Sequence, residues 1–424
     1  IYRDTDGALY FLNEKDLVKN MLETGFQHTH NLSISGGTDR LRYRLSGAFT
    51  NSDGVLITNM DKYKRLNVSS FLSADITPWF TQEATLSYAH SDDSQPQSTA
   101  GGIYSLRLAS FYPEGTMPEG YGVGGDDNLP FFTPRNQILN ANTYKNIYDN
   151  PRIFLKSILK PLKGLEIAFE YTFDKTMYDY HYYTGVKSFT TIQGGNDTYP
   201  SNDYLRKYKQ YTNYNAINAY ATYGFDLAVD HHFKLMAGFN QESSYQETVD
   251  NYSYDQAVVE VPSLGGGTGT LTARDYYTEY AVRGGFFRVN YDYQGKYLLE
   301  VNGRYDGSSR FPKDSRFGFF PSVSLGWNVA EESFIKNATE DWLDQFKIRG
   351  SYGVIGNQNI VEYAFIPSMS ISNTYSGWLL NGQQVAAVTS LPSLVSASFT
   401  WEKVHTTNIG VDFSLFKSRL TGLF

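Results

Sequence analysis

Polar and apolar residues alternate with a period of two along most of the chain. In 166–174, Ile167, Phe169, Tyr171 and Phe173 fall on one side, and Glu166, Ala168, Glu170, Thr172 and Asp174 on the other. In 297–306, Tyr297, Leu299, Val301 and Tyr305 oppose Glu300, Asn302, Arg304 and Asp306. In 408–415, Ile409, Val411, Phe413 and Leu415 oppose Asn408, Asp412 and Ser414. Near the start, Leu41, Tyr43, Leu45 and Phe49 oppose Arg40, Arg42 and Arg44. Successive side chains of an extended chain point to opposite faces, so each stretch reads as a strand with one apolar and one polar face. Fourteen strands are predicted, near 29–35, 40–50, 64–75, 79–90, 151–159, 163–174, 210–225, 233–243, 281–293, 296–305, 317–330, 346–356, 405–416 and 419–424.

The connections carry as much information as the strands. Tight links at Gly36–Asp39, Thr77-Pro78, Pro161-Leu162, 226–232, Gln294-Gly295 and Lys417-Ser418 alternate with longer ones. The longest are 91–150, 175–209, 244–280 and 357–404, and the 331–345 link has room for one helical turn. Short turns on one side and long loops on the other are the mark of an outer-membrane barrel. Several strands are also long enough for the ~9–11 residues that a tilted strand needs to cross a bilayer. The pattern therefore predicts an all-β, transmembrane antiparallel β-barrel. A soluble β-sandwich or propeller alternates polar and apolar residues too, and remains the rival reading.

Composition narrows the choice. Aromatic residues make up 16% of the chain, with 35 Tyr, so a disordered chain is excluded. No apolar run approaches the ~18 residues of a membrane-spanning helix. The formal net charge of -8 argues against a nucleic-acid footprint, which is basic. With no cysteine there is no disulfide, thiolate metal site or cysteine nucleophile. Ile1 opens the chain without a Met, and 419–424 reads as a strand barely begun, so the chain is expected to be part of a longer polypeptide.

Candidate chemistry points to binding rather than catalysis. The seven His are scattered, and His28 and His30 on one strand face suit the polar start of a strand better than a metal site. Gly265–Gly269 lacks the lysine and helix of a phosphate-binding loop, and Asp126-Asp127-Asn128 lacks calcium-loop spacing. No nucleophile motif is present, so the chain reads as no enzyme, with no metal and no cofactor. Aromatic residues gather in the long loops: Tyr104, Phe111, Tyr112, Tyr121, Phe131 and Phe132 in one, and Tyr375, Trp378, Phe399 and Trp401 in another. Of these, Tyr112, Tyr121, Phe131, Tyr375 and Trp378 are the candidates for stacking on a sugar ring or packing on a partner. The plainer role for any of them is to anchor a loop or join an interfacial girdle. Arg40, Arg42 and Arg44 should face the lumen, since a charge facing lipid near the midplane costs ~2–4 kcal/mol.

Several runs of residues also resemble a known family. They begin with His30-Asn31-Leu32-Ser33-Ile34-Ser35-Gly36-Gly37, followed by Tyr43 and Asn51-Ser52-Asp53-Gly54-Val55. Gly303–Phe311 (GRYDGSSRF), Phe320–Trp327 (FPSVSLGW), Glu332-Ser333-Phe334, Phe346–Gly353 (FKIRGSYG) and Gly356-Asn357-Gln358 follow in order. Trp401-Glu402-Lys403 then leads into Thr407–Asp412 (TNIGVD). Together these resemble the SusC/RagA family of TonB-dependent outer-membrane transporters of Bacteroidota.

The resemblance implies a 22-stranded barrel in the bacterial outer membrane, of which this chain would supply about fourteen strands without the N-terminal plug. Residues 1–28 would be an extracellular loop and 29–424 barrel wall, with extracellular loops at 91–150, 175–209, 244–280 and 357–404. It further implies TonB-energised import of a glycan or peptide nutrient, and a SusD/RagB-like surface lipoprotein as partner. Contact with TonB would run through the N-terminal part that this chain lacks. In that frame Arg40, Arg42 and Arg44 would pair with plug carboxylates, and Trp401 would be architectural. A passive porin-like channel and a soluble β-rich glycan-binding protein are the alternatives.

Overall fold

The structure is a computed structural model. It describes residues 2–3, 5, 7, 9–10, 19–96, 115–121, 128–191, 195–339, 342–369, 371–372, 379–384, 387–388, 391–392, 394–396 and 399–424. Its main body is one 14-stranded antiparallel sheet in which neighbours in sequence are neighbours in space. The strands are β1 (Gln27–Gly37), β2 (Leu41–Asp53), β3 (Lys62–Thr77), β4 (Phe80–Pro96) and β5 (Thr143–Leu162). Then come β6 (Leu165–Thr184), β7 (Tyr204–Leu227), β8 (His231–Tyr254), β9 (Leu271–Tyr293) and β10 (Tyr297–Ser308). The last are β11 (Phe317–Asn328), β12 (Leu343–Asn357), β13 (Glu402–Leu415) and β14 (Leu420–Leu423). All fourteen predicted strands are present, in the predicted order.

In such a meander, alternate connections must fall on opposite edges of the sheet. One edge carries 38–40, 78–79, 163–164, 228–230, 294–296, 329–342 and 416–419. The other carries 54–61, 97–142, 185–203, 255–270, 309–316 and 358–401. Turn chemistry fits the first edge. Gln294 and Gly295 both have positive φ, 55° and 69°, the type I′ geometry that suits a right-twisted hairpin. Gly164 also has positive φ, and a Cβ there would collide with the carbonyl oxygen of Gly224. The 329–342 link holds helix α2 (Ser333–Thr339), the helical turn for which the sequence left room. A second short helix, α1 (Pro134–Leu139), lies in 97–142 and is capped by Thr133, whose hydroxyl accepts from Asn136 N at 3.2 Å.

Two sequence readings need correction. The ladders run further than alternation showed, so the connections read as 91–150, 175–209 and 244–280 shrink to 97–142, 185–203 and 255–270. In these extensions both faces are polar: Lys207 and Lys209 occupy one side of β7 while Arg206 and Gln210 occupy the other. Alternation fades where neither side meets an apolar medium. Second, β2 starts at Leu41, so Arg40 lies in the turn and only Arg42 and Arg44 are on the strand. The Arg40 carbonyl accepts from Asp75 N at 2.8 Å, which ties that turn to β3.

The register keeps one face apolar across the whole sheet. Leu45, Leu86, Ile153, Phe169, Ile217, Leu235, Phe287, Leu325 and Ile348 share it, and all are exposed. Ordinary water-soluble folds would bury such a surface, whereas lipid accepts it. Two aromatic belts bound it. Near the short-turn edge, Tyr223, Phe225, Phe233, Tyr291, His231, Tyr293, Tyr297 and Trp327 form a chain of ring contacts. Glu332 locks its end, accepting from the Tyr297 hydroxyl at 2.7 Å and the Trp327 indole at 3.0 Å. Those two bonds hold the Glu332 carboxyl below the usual glutamate range. Towards the other edge, Tyr245 meets Tyr277 at 6.2 Å and Tyr305 meets Phe317 at 5.2 Å. From Tyr211 to Tyr223 a tilted strand climbs about 30 Å, close to the roughly 25 Å apolar band of an outer-membrane barrel.

Candidate functional site

The opposite face of the same strands is polar, and its side chains are tied to one another. Parity places Lys156, Glu170, Asn218, Tyr220 and Asn240 on it. Lys156 Nζ lies 3.0 Å from Glu170 Oε1, which also accepts from the Tyr220 hydroxyl at 2.9 Å. Asn218 donates to Glu170 at 3.4 Å and accepts from Asn240 at 2.6 Å, extending the chain across four strands. Further along the sheet, Glu300 accepts from Asn290 at 2.7 Å and Asn302 at 2.8 Å. Arg304 forks onto Asp306 with two bonds of 2.9 Å, and Arg349 reaches Asp412 at 3.0 Å. A wall of paired charges and amides neutralises itself while staying wettable. It suits the lining of a water-filled passage better than a reaction centre.

At the first strands the pattern changes. Arg42 Nη2 donates to Ser73 Oγ at 3.1 Å, and Ser73 in turn donates to Glu83 at 3.3 Å. Arg44 lies beside it on the same face, opposite Phe71 in register. Among the described residues neither Arg42 nor Arg44 comes within ion-pair distance of a carboxylate, unlike Arg206, Arg304, Arg310 and Arg349. These two guanidinium groups therefore lack a direct carboxylate partner, with Glu83 and Asp75 standing nearby on the same face.

Among the described residues, several parts of the long connections are tied down by packing. Phe131 is fully buried against Met117, so it anchors its loop and offers no face to a ligand. Phe132 packs edge-on against Phe189 at 5.3 Å, which joins that loop to 187–190. Trp401 is 7% exposed, sits between Phe311 and Phe320 at 5.2 and 5.1 Å, and donates to the Arg316 carbonyl at 2.7 Å. Arg310 lies 4.2 Å from the Tyr280 ring and donates to Glu362 at 2.7 Å, pinning the start of 358–401 to β9. Burial works against the charge on Glu362, yet the Arg310 bond holds its carboxyl below the usual glutamate range.

Of the aromatic residues singled out in the sequence, Tyr121 is on the surface, 42% exposed. Tyr112, Tyr375 and Trp378 lie outside the described residues. The rings of His28 and His30 are 5.1 Å apart on one face of β1, and among the described residues no group of three metal-binding side chains forms. Sequence reasoning missed the largest polar-face cluster: tyrosines around an Arg206–Asp250 pair with bonds of 2.8 and 3.1 Å. Its signal was there, in Tyr178, Tyr180 and Tyr182, then Tyr204, Arg206 and Tyr208, each at every second position.

Comparison with known proteins agrees with this geometry. The family described as TonB dependent receptor-like, beta-barrel matches residues 92–423. TonB-dependent receptor P3 of Formosa agariphila is 28% identical over 94% of this chain and 39% of its own length. TonB-dependent receptor SusC of Bacteroides thetaiotaomicron is 26% identical over 96% of this chain and 41% of its own. Among solved structures, the RagAB peptide transporter superposes with a TM-score of 0.78 at 18% identity, over 97% of this chain and 45% of that one. The chain thus spans about two fifths of the length of the curated relatives it matches. With a lipid-facing apolar band, a polar inner wall and these likenesses, the chain belongs to the TonB-dependent receptor-like β-barrel family of the bacterial outer membrane, and within it resembles SusC and RagA.

Proposed function

We propose that this chain is the barrel wall of an active nutrient importer, energised through TonB and served by a SusD/RagB-like surface lipoprotein. The observation that carries the reading is the opposition of faces: a belted apolar band outside and a continuous polar, ion-paired wall inside. The relatives are named TonB-dependent receptors, and the matched RagAB structure is described as a peptide transporter. The long connections 97–142, 185–203, 255–270 and 358–401 face the cell exterior, and the short turns face the periplasm. Loops of that kind on a rigid scaffold are where partners and cargo are met.

Arg42 and Arg44 favour a plugged importer over an open pore. Paired with acidic groups of a plug inside the lumen, they would fix its seat, and Arg40 in the adjoining turn would add a third cation. Energised uptake is the test. Cells carrying the protein should accumulate its cargo, and a protonophore or loss of TonB should stop accumulation. A passive channel would equilibrate cargo regardless of either treatment. For the partner, deletion of 115–130 should weaken capture of the lipoprotein while the barrel still inserts; unchanged capture would remove that loop from the partner surface.

A further inference from the structure

Towards the long-connection edge the lipid-facing side of the sheet changes character. On β5 to β7 the outward positions there hold four lysines, Lys145, Lys175, Lys207 and Lys209, against two carboxylates, Asp149 and Asp179. Both carboxylates are already engaged. Asp179 lies 3.0 Å from Lys209 Nζ, and Asp149 lies 2.8 Å from His90 Nδ1. Among the described residues Lys145, Lys175 and Lys207 come within ion-pair distance of no carboxylate. Lys175 instead lies 6.0 Å from the Tyr211 ring centre. The rung that carries the other two reads Ser94, Lys145, His181, Lys207 and Asn251 across β4 to β8, without an acid. One rung below, Asp92 stands opposite Lys64 in register, and Glu247 of β8 is lower still, opposite Tyr211.

Height matters as much as charge. Tyr211 stands level with Tyr277 of the outer aromatic belt. Lys209 and Lys207 follow two and four residues further along the same strand, about 7 and 14 Å away. A strand tilted by about 40° turns that into roughly 5 and 10 Å of height. This is the layer just outside the apolar band, where lipid headgroups lie. Beyond it the outer face is covered again. Tyr183, Leu205 and Ser253, next along in register, are buried, and Ser253 Oγ donates to the Leu264 carbonyl of 255–270 at 3.1 Å. The lysine rung thus lies between the belt and a covered shoulder.

Neighbouring strands place the backbones of Lys145 and Lys207 about 10 Å apart, with His181 between them. Two lysine stems can close on one group from either side, and the imidazole can add a ring N–H. Two point charges and a donor suit a phosphate monoester, with its double charge and three acceptor oxygens. A protein partner approaching from the water would meet the 255–270 shoulder first, whereas lipid already touches the wall beneath. We infer that Lys145, His181 and Lys207 bind the phosphate of an outer-leaflet phosphoglycolipid of the lipid A kind, its acyl chains lying along the apolar band below. The inference rests on the reading that this face meets lipid, and on neither cargo nor TonB.

The test uses the full-length protein purified in detergent, titrated by thermophoresis with lipid A, with dephosphorylated lipid A and with inorganic phosphate. Lipid A should bind about tenfold or more tighter than its dephosphorylated form, and less tightly as ionic strength rises. Lys145→Gln/Lys207→Gln should weaken lipid A binding about tenfold or more. Lys145→Arg/Lys207→Arg keeps both charges and should retain most of the binding. Lys234→Gln/Lys347→Gln removes two charges from the inner wall and should leave it unchanged. Heat-modifiable migration shows that each variant is folded. Equal affinity for the two lipids, a comparison that needs no variant, would overturn the inference. So would undiminished binding by the folded glutamine variant, or an equal loss in the inner-wall control. Inorganic phosphate binding as tightly as lipid A would make this a site for free phosphate and overturn the lipid assignment. If oxygen accessibility still alternates along β6 while the preference for phosphorylated lipid is absent, the site falls and the lipid-facing wall stands.

Discussion

Lys156 and Glu170 face each other across β5 and β6, Nζ to Oε1 at 3.0 Å, on the wall opposite Phe169. Both side chains are mostly shielded, and the Tyr220 hydroxyl completes the carboxylate's shell. Glu170→Ala would leave Lys156 and Tyr220 without their acceptor, at a cost of about 2 kcal/mol. Glu170→Gln keeps one acceptor oxygen and should cost less. Urea unfolding of the protein in lipid vesicles measures both, and equal stability of all three proteins would show that the pair does not brace the wall.

The edge assignment predicts which residues reagents reach from outside the cell. Val261, 72% exposed in 255–270, and Val229, 88% exposed in 228–230, lie on opposite edges of the sheet. With single cysteines introduced there, a membrane-impermeant maleimide should label Val261→Cys on intact cells and Val229→Cys only after lysis. Equal labelling on intact cells would reverse or abolish the proposed orientation.

The start of 358–401 is held by a bond whose strength depends on pH. Because the Glu362 carboxyl titrates below its ordinary range, its contribution is present above the unfolded value and is lost as pH falls through the folded one. Protection of 358–369 against hydrogen exchange, taken relative to the intrinsic rate at each pH, should therefore hold near neutrality and be lost at acid pH, below the ordinary glutamate range. Glu362→Gln should exchange quickly at both pH values, so slow neutral exchange in that variant would deny the Arg310 bond its role.

A fourth expectation concerns Trp401. Truncating it to Ala removes the ring between Phe311 and Phe320 and the bond to the Arg316 carbonyl. Loss of a large buried aromatic side chain costs about 3–5 kcal/mol. Limited proteolysis should then cut 309–316 and 399–401 far faster, with Trp401→Phe intermediate. Unchanged cutting in Trp401→Ala would show that the cluster does not hold these connections.

The strands were legible in the sequence where the environment differs between faces. Ile167, Phe169, Tyr171 and Phe173 read as a strand because lipid and water meet on its two sides. Beyond Asp174 the strand continues through Tyr178, Tyr180 and Tyr182, yet His181 and Asp179 on the other side are polar too. No apolar face remains there to betray the period. The tyrosine patch stayed hidden because Tyr144, Tyr182, Tyr204 and Tyr254 meet only through the register of four strands, which local pattern does not encode. Phe131 looked available because exposure cannot be read from a loop sequence, and its packing on Met117 settles the matter.

The central claim is that one face of this sheet meets lipid and the other lines a wet lumen. Nitroxide labels placed one at a time from Glu166 to Asp174 on β6 test it most directly. Relaxation by oxygen, which concentrates in lipid, should peak at 167, 169, 171 and 173; relaxation by a water-soluble nickel chelate should peak at 166, 168, 170, 172 and 174. Inverted phases, or no alternation in vesicles that hold the folded protein, would contradict the account.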